Sequence, residues 1–243
     1  QNVLDARVKL PNGKIAMANI EIRIIDKDSG LNVEEFNKIF DPLENYLVAG
    51  GHPSKARNFD NPKVLVLEEF NTVGLTGEVD NSRRHGEEER WTNFWFSEGN
   101  PSKSGNSLGR KGEGKITYHI ISGARSVIAV TRREREDKDF LFGKCILMEK
   151  FEYKGEYYMN HGYWPLIRDN QPVPEEDPAK IKKIKDIFGL KRTTESGTSW
   201  IIPYLPQNYS EDILIREFVK DFFYSVLSEN IKGTICGQRI DSS

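Results

Sequence analysis

Residues 109–115 read G-R-K-G-E-G-K. Three glycines fall within six residues, and a lysine closes the run. A polar stretch, 101–108 (PSKSGNSL), precedes it, and an apolar one, 116–130 (ITYHIISGARSVIAV), follows. A glycine-rich loop that opens a helix suits an anion. The glycines let backbone N–H groups approach closely, and the helix N-terminus adds partial positive charge. The run therefore reads as a phosphate loop, with a flexible surface loop as the alternative. Its spacing also satisfies G-x-x-x-x-G-K, but the P-loop reading fails. Residue 116 is Ile where magnesium needs Ser or Thr, and PSKSGNSL is no hydrophobic strand.

At 243 residues the chain fits one large domain or two small ones. A hydrophobic fraction of 37% is enough for a sizeable core, and 30% charged residues balance to a net charge of −2. That balance gives no global basic excess for nucleic acid, although Arg83-Arg84 and residues 132–135 are local basic clusters. Cys145 and Cys236 are far apart and form no metal cluster, which suits core thiols of a reducing, cytoplasmic compartment. No apolar run is long enough to cross a bilayer and no signal peptide is visible, so no membrane partner is expected. His52, His85, His119 and His161 are scattered, with no zinc spacing.

Residues 1–8 (QNVLDARV) read as the last two turns of a helix whose start precedes residue 1. Residues 20–25 (IEIRII) alternate apolar and charged side chains, the pattern of a half-buried strand. Val33, Phe36, Ile39, Phe40, Leu43 and Leu47 recur at helical spacing until Gly50-Gly51-His52-Pro53. Residues 63–67 (KVLVL) predict a buried strand running into 68–77 (EEFNTVGLTG). Residues 78–108 are long, polar and charged, broken by Trp91, Phe94, Trp95 and Phe96, and they predict a lid over a ligand. The aromatic residues could stack on nucleic-acid bases, but packing is the preferred role. Beyond a helix at 116, strands are expected at 126–131, at 197–204, over 231–240, and as a pair within 140–158 turning at Lys154-Gly155. An acidic Pro-rich loop over 172–178 precedes a helix at 179–188, and another helix follows at 210–227. The mixture is α+β, with most strands joined by hairpins.

Four stretches, in order, resemble the motifs of the ATP site in the gyrase, heat-shock chaperone, histidine kinase and MutL (GHKL) superfamily. They are Asn2 with Asp5-Ala6, an acid before a glycine turn, residues 109–115, and Gly197-Thr198. EEFNTVGLTG followed by GRKGEGK also resembles a bacterial branch of ATP-binding proteins in that superfamily. The resemblance implies a Bergerat fold: an α+β two-layer sandwich of mixed, mostly antiparallel sheet on helices, with residues 1–243 as one domain and 78–108 as its lid. It implies ATP with Mg²⁺, the Asn2 side chain being the metal ligand and a general-base Glu lying before residue 1.

For the acid that reads adenine, two candidates stay open. Asp26 follows IEIRII, and Glu69, with Gly74, follows KVLVL. Glu69 is preferred, though it stands where the family has the shorter Asp, and Asp26 lacks the glycine two residues on. The phosphates would fall to Gly109, Gly112 and Gly114, with Lys103, Lys111 and Lys115 neutralising charge. Lys115 could equally face solvent. Thr198 would join the acid on the base. The implied function is slow ATP hydrolysis, with lid closure and homodimerisation driving an effector beyond residue 243, in DNA maintenance or anti-phage defence. The rivals are a non-hydrolysing nucleotide module, a histidine kinase domain and a nucleic-acid-binding protein.

Overall fold

The computed structural model describes residues 2–79, 89–97 and 114–243. The chain opens with a short helix, α1 (Asn2–Asp5). It is shorter than the two turns expected because residues 6–8 leave it to pair with the loop after β2. Val73 N–H donates to Ala6 O at 2.8 Å, and Val8 N–H donates to Asn71 O at 3.0 Å. β1 (Ala18–Ile25) follows, then α2 (Val33–Ala49). Asn32 caps α2 by accepting from the Glu35 N–H, and Glu34 and Glu35 place negative charge at its positive end. Gly50 and Gly51, the latter at φ +84°, end it.

β2 (Val64–Phe70) runs three residues further than its apolar pattern, so Glu68 and Glu69 lie inside the strand. Next come α3 (Arg90–Trp95), α4 (Gly114–Ile121), β3 (Ser126–Arg132) and β4 (Asp139–Ile146). Five short strands follow: β5 (Phe151–Tyr153), β6 (Glu156–Tyr158), β7 (His161–Trp164), β8 (Leu166–Arg168) and β9 (Gln171–Val173). The expected turn at Lys154-Gly155 joins β5 to β6, apart from β4. The last three short strands are additions to the sequence reading. α5 (Pro178–Ile187) starts on the Asp177 cap with Pro178 in its first turn. β10 (Gly197–Pro203), α6 (Glu211–Leu227), β11 (Ile231–Ile235) and β12 (Gln238–Ile240) complete the chain, the last two splitting the single strand expected there.

Eight strands form one sheet in the order β12-β11-β1-β2-β10-β3-β4-β7. β1 and β11 pair in parallel, and the other neighbours are antiparallel. The architecture is thus the expected α+β one, with a mixed, mostly antiparallel sheet. Strand alternation then divides the core. Val64, Val66, Ile128, Val130 and Ile201 meet Phe36, Phe40 and Leu47 of α2 and Ile181 and Ile184 of α5. Leu65, Val127, Ala129, Phe142, Trp200 and Ile202 point the other way, onto Trp91 and Trp95 of α3 and Tyr118 of α4. Helices therefore lie against both faces. The aromatic residues expected in a lid form part of this second core, where Trp91 and Trp95 are fully buried.

Candidate functional site

The pleat of β2 sends Glu69 to the α3–α4 face, in line with Leu65 and Leu67. Register places it opposite Thr198 of β10, and Thr198 opposite Thr131 of β3. Directly opposed side chains in a sheet touch, so one acid and two hydroxyls form a row across three strands. The Thr198 hydroxyl lies beside the Glu69 carboxyl and favours its charged form. The Thr131 and Thr198 hydroxyl oxygens are 3.0 Å apart, and Thr131 Oγ1 also reaches Gly197 O at 3.2 Å. Leu75 N–H donates to Thr131 Oγ1 at 2.9 Å. The backbone of the loop after β2 is thereby linked through Thr131 to the hydroxyl that lies beside the carboxyl. Either hydroxyl of the pair can donate, so the chain serves Glu69 in both charge states.

Burial dominates the chemistry of this acid. Glu69 is 7% exposed, and desolvation raises its pKa from 4.5 to about 7, against the pull of Arg192, the Thr198 hydroxyl and Arg90. The Tyr118 hydroxyl is pushed up too, first by burial and then by the charge on Glu69. Around the row, Thr72 Oγ1, Trp91 Nε1, Thr92 Oγ1, Trp95 Nε1 and Arg133 Nη2 are buried with no hydrogen-bond partner among the described residues.

Two glycines keep the backbone close here. Gly197 has φ +135°, and a Cβ on it would overlap the Glu69 carbonyl oxygen and lie 3.0 Å from Thr72 Oγ1. Gly74, at φ +73°, would place a Cβ 2.6 Å from Arg132 O. Both conformations are ones that a side chain opposes.

The opposite face of the same strand end carries the scaffold. Glu68 is fully buried and accepts from the N–H groups of Lys191 and Arg192, the Ser199 hydroxyl at 2.8 Å, and Arg23 Nη2 at 2.9 Å. Arg192, 2% exposed, donates to Ser199 Oγ at 3.1 Å, Glu195 O at 2.9 Å and Glu69 O at 2.6 Å. The loop entering β10 is thus fastened to the end of β2, and this fixes Thr198 against Glu69.

The two adenine candidates are separated by the register. Glu69 opposes Ile20 of β1, whereas Asp26 lies beyond Ile25, six residues along and hence about 20 Å away. The Asp26 side chain accepts from Ser29 N–H at 3.0 Å and Ser29 Oγ at 2.9 Å, closing its own turn. Asn2 and Asp5 lie on α1, next to the loop after β2, and Asp5 O accepts from Arg90 Nη2 at 3.2 Å. Gly114 is the exposed first residue of α4, and Lys115 Nζ donates to Asn93 O at 2.7 Å, tying α4 to α3. Lys103, Gly109, Lys111 and Gly112 fall outside the described residues. Thr131, Tyr118 and Arg192 escaped the sequence reading. Only Thr131 left a signal, a lone hydroxyl at the inward parity of 126–132 (SVIAVTR).

No family model matches the chain, and no curated protein matches it. Among solved structures it is similar to the ATPase region of Saccharomyces cerevisiae topoisomerase II bound to ICRF-187 (dexrazoxane). The two share 14% identity at a TM-score of 0.39, over 85% of this chain and 48% of the other. The chain thus spans about half the length of that structure.

Proposed function

We propose that residues 1–243 form one ATP-binding domain of the Bergerat type, with 78–108 as its lid. The observation that carries this reading is the buried Glu69 carboxyl in register with the Thr198 hydroxyl. A carboxylate in a dry site is an acceptor for an exocyclic amino group, and a hydroxyl beside it orients a ring. The unpartnered Thr72 Oγ1 and the Cβ-free backbone at Gly197 and Gly74 also suit a flat heterocycle. Asp26 is too far from Thr198 to share a base with it.

Gly109, Lys111, Gly112, Gly114 and Lys115, with Lys103, hold the phosphates in this reading, as a loop entering a helix. Asn2 holds Mg²⁺, which supplies charge neutralisation on the phosphate oxygens. Slow hydrolysis, homodimerisation on nucleotide binding and an effector or DNA partner complete the proposal. The second reading is a nucleotide switch without turnover, which the longer side chain of Glu69 favours.

Calorimetry with ATP tests the assignment. Glu69→Ala is expected to weaken binding about 10–100-fold, while Asp26→Ala leaves it unchanged. The reverse outcome overturns the choice of acid, and no ATP binding by the parent chain overturns the function. Tight binding without phosphate release selects the switch.

A further inference from the structure

At the other end of β10, about 20 Å from Thr198, a cleft of ≈ 520 Å³ opens. Its walls come from the segment around His52–Arg57, Lys63 just before β2, the turn after α4 and the residues following β10. They are tied to one another. The Arg57 guanidinium is paired with Glu44 at 2.6 and 2.8 Å and donates to Gly123 O at 3.1 Å. Gly123 N–H donates to Tyr204 O at 2.9 Å, and Leu205 N–H to Lys63 O at 2.8 Å. The cleft is therefore held in shape by bonds between its own walls.

Its lining is one-sided in charge. Lys55, Lys63 and Arg125 line it with no ion-pair partner among the described residues, and none of the lining residues is acidic. Arg57 is already neutralised by Glu44. Arg125 sits at φ +49°, a conformation that side chains resist. It is fixed there by its N–H on Ser122 O at 2.9 Å and by Ile146 N–H on its carbonyl at 3.0 Å. Backbone held against preference in this way marks a position worth a functional explanation. His52 and Tyr204 are also lining residues, each with one polar atom buried behind the cleft surface. His52 Nε2 and the hydroxyl of Tyr204, a residue 3% exposed, are buried without a hydrogen-bond partner among the described residues. Ile120, Ile121 and Pro206 give it an apolar wall.

A preformed cleft of this size, with an apolar wall and a few placed polar groups, is the form of a small-molecule site. Three unopposed cations select an anion, and a phosphate monoester brings close to two negative charges at neutral pH. We infer that this cleft binds a small organic phosphate, its body on the apolar wall and its phosphate among Lys55, Lys63 and Arg125. The inference does not rest on the nucleotide reading of the Glu69 site.

The test is amide NMR titration of the 243-residue chain with phenyl phosphate, a probe with no purine. Saturable shifts are expected at Gly123, Arg125 and Leu205. Benzoate, with one charge, should bind at least about tenfold more weakly. The double variant Lys63→Gln, Arg125→Asn should lose at least about tenfold in affinity with its thermal midpoint kept, Asn being tolerant of the left-handed backbone. Lys55→Gln, at an exposed position, should weaken binding severalfold and serves if the double variant unfolds. Absence of saturable shifts, or shifts unchanged in these variants, overturns the proposal. Equal affinity for benzoate overturns the phosphate, and equal affinity for inorganic phosphate overturns the role of the apolar wall. Displacement of phenyl phosphate by an oligothymidine lacking terminal phosphates would make the ligand a nucleic-acid backbone and overturn the small-molecule assignment.

Discussion

Arg192 reaches Glu69 through the backbone. Its Nη2 donates to the Glu69 carbonyl oxygen at 2.6 Å, while the Glu69 carboxyl projects from the other face of the sheet. The arginine thus holds the strand end from which the acid projects. Its other bonds go to Ser199 and Glu195, at the entry to β10.

Arg192→Met should therefore destabilise the fold by about 3–5 kcal/mol, since it leaves the Glu69 and Glu195 carbonyl oxygens and the Ser199 hydroxyl without their donor. Arg192→Lys should recover little, because a single ammonium cannot serve three diverging acceptors. Urea unfolding of the three proteins measures both effects.

Glu69 gives the protein a pH dependence of definite sign. Its carboxyl titrates at about 7 in the fold against 4.5 in the unfolded chain. Its contribution is then fully favourable below about 4.5 and is lost as pH rises through 7. The difference corresponds to about 3 kcal/mol. Glu69→Gln, which keeps an acceptor for Thr198, should flatten stability between pH 5 and 8 and raise it at pH 8 by up to that amount. Unfolding curves that fall equally with pH in both proteins would assign the dependence elsewhere.

Thr131→Val removes the hydroxyl that links Leu75 N–H to Thr198. A loss of about 1–2 kcal/mol is expected, because a buried N–H is left unpaired. Thr131→Ser should restore most of it. Hydrogen exchange at Leu75 should quicken in the Val variant and not in the Ser variant.

The glycines separate crowding from conformation alone. At Gly13, with φ +80°, a methyl group would meet nothing within 4 Å, whereas at Gly197 and Gly74 it would meet backbone oxygens. Alanine at Gly13 should cost about 1 kcal/mol. Alanine at Gly197 or Gly74 should cost several-fold more, read as thermal midpoints of the three variants.

Trp95 distinguishes a core helix from a mobile cover. Its ring is fully buried against Phe142, Phe94 and Trp200. Trp95→Ala should cost about 3–5 kcal/mol. A change under about 1 kcal/mol would mean that α3 packs only loosely.

Local pattern makes much of the fold legible. Alternation marks β1 and the apolar run marks the start of β2, while helical spacing and its stop signals bound α2. The end of β2 is not legible. Two adjacent acids resemble a loop, and what buries Glu68 is a set of donors from residues 191–199, more than a hundred positions away. The aromatic residues of α3 stand in a polar stretch, and sequence alone cannot give them the face of β4 and β10 that they cover. Along the chain Glu69 and Thr198 belong to two separate motifs, and the register makes them neighbours. Thr131, which completes the row, stays hidden because a threonine in an apolar strand is locally ordinary.

Glu68 and Glu69 go to opposite faces of β2, one into a cage of donors and the other beside the Thr198 hydroxyl. A strand of plain hydrophobics can slide by one residue and still bury an apolar surface. β2 cannot, because a slip would exchange the two acids and leave each in the other's surroundings. The pair therefore acts as an alignment key for the centre of the sheet. A single-residue insertion or deletion within 64–70 should be far more damaging than any conservative substitution there.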